Sequence, residues 1–218
     1  MKQGLCIICG NTGELTRDHL PQRSLYPKAI RSKIVNMNII QACEACNNGA
    51  KLEDELFKVI IGMIVTPEWN DELKNSVHST LDSNQKLFKY VNTNSEVRKI
   101  DNSSGQVEEV NILALNKEME NNFLLAIERC VKGFYFQFFK SILIKNKVLQ
   151  IINPKALYSR QKKEIFEKSK TADWRVINSD TCRYTFLSMD NSDIIFIMNL
   201  YGSIDFYYLV RDISFNKQ

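Results

Sequence analysis

Two Cys-x-x-Cys pairs, Cys6-Ile7-Ile8-Cys9 and Cys43-Glu44-Ala45-Cys46, constrain the fold of this chain more than any other feature. Two tight turns that each present two sulfurs can close a tetrahedral site around one Zn²⁺ ion and shut it from water. Gly10 follows the first pair and Asn47 the second, small residues where a knuckle turn often calls for positive φ. A redox Cys-x-x-Cys normally comes singly on a βαβ unit, and no such pattern surrounds these pairs. The other two cysteines, Cys130 and Cys182, stand alone in apolar surroundings and read as small core residues. The expectation is a structural zinc site made by Cys6, Cys9, Cys43 and Cys46, in a reducing compartment rather than a disulfide-bonded secreted protein.

The gap between the pairs is 33 residues, longer than the roughly 15–20 of a plain zinc ribbon. The insert holds the more informative residues. Asp18-His19 is followed by Leu20-Pro21, Asn38 stands five residues before the second pair, and Asn47 comes directly after it. This order resembles the HNH (ββα-metal) endonuclease family of the zinc-knuckle type, over roughly residues 5 to 58. The resemblance implies a zinc-bound ββα-metal module that hydrolyses phosphodiester bonds in DNA. It makes His19 the general base, since a neutral imidazole takes a proton near pH 7. It gives Asp18 and Asn47 to a catalytic Mg²⁺ or Mn²⁺ ion, hard cations that prefer oxygen ligands. Asn38 then orients His19. Stand-alone nucleases of this kind often serve bacterial restriction or anti-phage defence, which is analogy only.

Each of these residues also has a plainer use. His19 can be a structural histidine, and Asp18 can pair with Arg17 or Arg23. In a strand the two would point to opposite faces, which places them at a strand end or in a loop. Asn36 is a rival to Asn38. Apolar Leu52, Leu56, Val59, Ile60 and Met63 recur at helical spacing, so Asn47 or Asn48 can cap that helix. The trio Glu53-Asp54-Glu55 reads as the solvated first turns of that helix rather than a metal site. Where the family often has a basic residue three places after the final Asn, this chain has Ala50, with Lys51 one place later. His78 has no comparable neighbours and reads as a surface residue.

Between His19 and Cys43 there is no acidic residue, while Arg23, Lys28, Arg31 and Lys33 all fall there. With Arg17 and Lys51 they form a candidate phosphate-contacting surface, able to position nucleic acid but not to read its sequence. The net charge of +4 over 218 residues argues far less than this local excess. The partner implied is DNA, with RNA left open, and so is a homo-oligomer or an accessory protein. A rival class is a non-catalytic zinc-knuckle module that binds nucleic acid or a protein partner.

The fold class expected is α+β, with an HNH module over residues 1–66 and a mixed helix and antiparallel-strand body over 67–218. In the body, 85–91 and 106–115 read as strands, 116 or 117 to about 145 as the longest helix, and 148–152 as a short strand. Pro154 opens a basic helix, and 183–189, 194–201 and 204–210 form an antiparallel meander. The aromatics from Phe134 to Phe139 read as core or a dimer surface. No apolar run approaches the ~18 residues of a membrane span. Cys6 follows the N-terminus too closely for a signal-peptide core, so the expectation is a soluble, cytoplasmic protein that does not enter membranes.

Overall fold

The computed structural model describes residues 2–26, 31, 37–64, 71–101, 105–143, 147–152, 157–178, 181–189 and 193–212. The fold is mixed α+β. Strands β1 (Lys2–Leu5), β2 (Thr12–Leu20) and β3 (Asn38–Cys43) form an antiparallel sheet in that order. A single turn, α1 (Glu44–Asn47), and a 3₁₀ turn lead into helix α2 (Lys51–Ile64). Helices α3 (Asp71–Ser83) and α4 (Gln85–Asn94) follow, then a two-stranded sheet of β4 (Ser95–Asp101) and β5 (Val107–Leu113). Helix α5 (Lys117–Phe139) is the longest, and β6 (Lys147–Ile151) and α6 (Ser159–Lys170) come next. Strands β7 (Arg175–Asn178), β8 (Cys182–Ser188), β9 (Ile194–Leu200) and β10 (Ile204–Asp212) complete an antiparallel sheet ordered β6-β10-β9-β8-β7.

That five-stranded sheet is buried on both faces, so its central strand β9, Ile194–Leu200, is a nearly continuous apolar run. Tyr184, Phe186, Phe196, Met198, Phe206 and Tyr208 point to one face, where α5 packs. Leu187, Ile195 and Ile197 point to the other and meet Ile165 of α6. On the α5 side, Phe134 stacks on Tyr184 with ring centroids 4.1 Å apart, and Phe138 and Phe139 lie against Phe186. The aromatic run of α5 is therefore core. Cys130 and Cys182 are buried within the same cluster.

The opposite side of α5 carries the N-terminal sheet. A Cβ on Gly133 would stand 2.6 Å from Leu20 Cδ2 and 3.1 Å from Ile40 Cδ1, so helix and hairpin approach as closely as they do because residue 133 is glycine. Across this contact Gln22 donates to the Ala126 carbonyl at 3.1 Å and Tyr201 donates to the Leu25 carbonyl. Buried side chains on both sides of the boundary expected at 66/67 belong to one continuous core.

Two expected elements differ. Residues 85–91 are helical, not extended: the Asn84 side chain accepts from the Leu87 amide, and Leu87 and Val91, four apart, share the buried side. Helix α5 stops at Phe139, well short of 145, because Lys140 turns left-handed at φ 56° and its amide closes on Phe136. Its N-terminus is capped by Asn116, which accepts from the Met119 amide. The basic helix begins at Ser159, and Pro154 lies outside the described residues. Among the described residues no helix is long and apolar enough to cross a membrane.

One ion-pair triad fastens α5 to the N-terminal part. Arg129 is 8% exposed, and its guanidinium binds Asp18 Oδ2 of β2 at 3.1 Å and Asp54 Oδ1 of α2 at 2.7 Å. Removing one member of such a buried set leaves the others uncompensated. Arg129→Met is expected to lower unfolding free energy by about 3–5 kcal/mol in urea titration; a loss near zero would show that the triad carries no structural load.

Candidate functional site

The four N-terminal cysteines come together because both turns sit at the same end of the small sheet. After β1 the chain reverses through Cys6–Gly10, with the Cys6 amide on the Asn11 carbonyl, the Gly10 amide on the Cys6 carbonyl, and Gly10 at φ +74°. The Ile7 amide donates to Gln41 of β3 at 3.0 Å, which docks this turn beside the second pair. Cys43 ends β3 and Cys46 lies in α1. All four Sγ atoms lie within 4.8 Å of one another, and Cys9 and Cys43 are 3.9 Å apart. A tetrahedron of ~2.3 Å Zn–S bonds has edges of about 3.8 Å. The Cys43 amide also donates to Cys6 Sγ at 3.3 Å, a bond that favours thiolate there. The cluster is compatible with structural zinc in donor type, number and spacing.

Burial raises the Cys6 thiol, but the amides of Cys9, Cys43 and Ile8 outweigh it and bring the pKa down to about 7. Burial pushes Cys9 and Cys46 up, and neighbouring sulfurs add to this. Four sulfurs this close cannot all ionise without a cation between them.

Asp18 and His19 fall within the last three positions of β2, the strand end that their adjacency implies. Strand alternation sends them apart. Asp18, 6% exposed, faces α5 and is held by Arg129. His19 is half-buried on the other face, opposite Ile39. Burial lowers its pKa first, and Arg23, Arg17 and Arg31 add to that against the opposing pull of Asp18. The imidazole is thus neutral at pH 7 and set among cations. Asn38 pairs with Leu20, which places it on the face of Asp18 rather than of His19, and no hydrogen bond joins it to His19 among the described residues.

Asn47 does not cap a helix with its side chain. Its amide instead reaches back to β2, donating to Thr16 Oγ1 at 2.9 Å and to the Arg17 carbonyl at 3.1 Å. Thr16 shares the face of Asp18, so Asn47 and Asp18 are brought to one side of the strand. Of the expected phosphate contacts, Arg17, Arg23 and Lys51 are exposed. Lys51 lies 3.8 Å from Glu55. Arg31 directs its Nε to the Tyr26 carbonyl. Lys28 and Lys33 lie outside the described residues.

The acidic trio is not simply solvated. Asp54 joins the triad, and burial pushes its carboxyl up to about 6 in spite of Arg129. Glu55 accepts from Asn84 Nδ2 at 2.7 Å. Sequence reading missed Arg129 and the use of Asp54. The signal was present in Asp54, three and seven residues before buried Phe57 and Ile61, and in Arg129 between buried Ala126 and Gly133. Compared with protein-family models, curated proteins and solved structures, the chain matches none.

Purified protein is expected to hold one zinc ion per chain by elemental analysis, and Cys43→Ser to lose it. Because zinc must displace protons from the thiols, Cys9 and Cys46 among them and Cys6 too below neutrality, affinity should fall by at least roughly a hundredfold per pH unit on acidification. Full zinc occupancy in Cys43→Ser would contradict the assignment.

Proposed function

We propose that this chain is a zinc-stabilised endonuclease of the HNH type that cleaves DNA, with His19 as its general base. The observation that carries the reading is the setting of His19, at the end of a hairpin anchored by four cysteines. Burial lowers its pKa, Arg23, Arg17 and Arg31 lower it further, and these arginines bear charge opposite to a phosphate. A base that is unprotonated at pH 7 and a cationic surround for an anion are two of the requirements of phosphodiester hydrolysis. The order of two antiparallel strands, β2 and β3, then helix α2, with the cysteine cluster beside them, supports this reading. Four reduced cysteines suit a reducing, cytoplasmic setting.

The reading requires a divalent cation. Asp18 and Asn47 would hold it: they stand on one face of β2 and offer a carboxylate and an amide oxygen, hard donors suited to Mg²⁺ or Mn²⁺. Such an ion, when bound, supplies a Lewis acid for the phosphate and the leaving oxygen. Asp18 already accepts from Arg129, so an ion there shares the carboxylate with a guanidinium. For His19 to take the proton of the attacking water at its unprotonated ring nitrogen, the phosphate must bridge the two faces at the end of β2, where Asp18 and His19 stand. Arg17 and Arg23, both exposed, bind the strand.

The burial of Asp18 against Arg129 favours a second reading, a zinc-knuckle module that binds nucleic acid or a protein partner without cleaving. The two separate on supercoiled plasmid with Mg²⁺ or Mn²⁺. The nuclease reading predicts cleavage by the wild type and a loss of about 10²–10⁴-fold in His19→Ala. Equal cleavage by both proteins, or none by either, would overturn it.

A further inference from the structure

Helix α6 sits on the outer face of the five-stranded sheet through a single buried residue, Ile165. With so narrow a footing it leaves a cavity on each flank. In the one of about 580 Å³ the main charges are matched, since Arg211 makes a two-bond pair with Asp193 at 2.8 and 2.6 Å. The other, of about 670 Å³, is lined by three cationic and three aromatic side chains. Its lining includes Lys162, Lys163 and Arg183 with Phe166, Trp174 and Tyr207, and its one acidic residue, Asp205, accepts from Asn199 Nδ2 at 2.7 Å.

Two of the aromatic groups here, Trp174 and Tyr207, lie at the margin of the core, against the Ile165 cluster. Phe166 is 59% exposed, and Trp174 and Tyr207 are only partly covered. Trp174 is fixed in orientation because its Nε1 donates to the Ser169 carbonyl at 2.9 Å. The Arg183 guanidinium lies over its ring at 4.9 Å from the centroid, and Arg183 itself is exposed. A guanidinium over an indole joins a positive charge to an aromatic surface. Flat bases stack on aromatic rings and on guanidinium planes alike, and the phosphates beside them need cations. A cavity in the range of roughly 300–1,000 Å³ accommodates a small organic group.

We infer that this cavity binds single-stranded nucleic acid, with a base stacked on the Arg183–Trp174 platform and the adjoining phosphates at Lys162 and Lys163. A duplex keeps its bases stacked inward and offers none to such a platform. The inference takes its ligand class from the nucleic-acid reading above but requires no cleavage, so the two stand or fall separately.

The test uses zinc-loaded protein without added Mg²⁺ or Mn²⁺, an end-labelled oligothymidine, and the same measurement with a hairpin duplex and with thymidine monophosphate. Fluorescence anisotropy should show tighter binding to the single strand than to either alternative. Trp174→Ala should weaken it about tenfold or more, and Trp174→Phe, which keeps an aromatic face, should largely retain it. Binding should quench wild-type tryptophan fluorescence, and the quench should vanish in Trp174→Phe. Lys162→Ala with Lys163→Ala should flatten the salt dependence, by roughly 0.7 in slope for each phosphate that is no longer neutralised. Unchanged affinity in Trp174→Ala, a quench that survives in Trp174→Phe, or equal binding of duplex or mononucleotide would overturn the inference. If single-strand binding holds while His19→Ala cleaves plasmid like the wild type, only the nuclease reading fails.

Discussion

Four cysteine sulfurs within 4.8 Å of one another are an electrostatic problem before they are a motif. As thiolates they repel; as thiols they leave a half-buried, weakly bonded cluster where two turns must hold their shape. A divalent cation resolves both difficulties at once, because it pairs the charges and fixes the directions of the four side chains. What depends on it is considerable. The first turn docks on β3 through Ile7 and Gln41, the second leads directly into α1 and α2, and β2 runs between them with Asp18 and His19 at its far end. With zinc in place, the hairpin has a fixed end from which His19 is presented.

A second constraint acts from the other side. Helix α5 reaches the hairpin through a glycine, a glutamine and an arginine: Gly133 permits contact with Leu20 and Ile40, Gln22 bonds to α5, and Arg129 spans Asp18 and Asp54. The same helix turns its aromatic side to the large sheet. Residues far apart in sequence thus share one core, and the C-terminal part is a support for the hairpin as well as a surface of its own. The cost is that Asp18 is committed to Arg129, while Asn47 is committed to β2 by its amide. Charge at this face is balanced in part by the protein itself, one guanidinium against two carboxylates.

Much of this was legible from local pattern. The cysteine spacing located the cluster, and apolar runs between well-marked turns located β8, β9 and β10, since a strand covered on both faces reads as a nearly continuous apolar run. Residues 85–94 were not legible as a helix because Leu87, Phe88 and Val91 form a short apolar run that fits either period; the Asn84 cap, a single hydrogen bond, decides it. The triad was hidden for a different reason. Asp54 and Arg129 each interrupt an apolar stripe, but neither sequence neighbourhood names a partner 75 positions away. Asp18 and Asn47 were found as a pair by motif; that they share a face with Thr16, and that Asn38 lies away from His19, follows from strand register alone.

X-ray absorption at the zinc edge, on the purified full chain, tests the central claim most directly. Four sulfur scatterers at about 2.3 Å and no lighter ligand are the predicted shell. A shell containing nitrogen or oxygen, or protein without bound zinc, would contradict the tetrathiolate anchor on which the position of His19 rests.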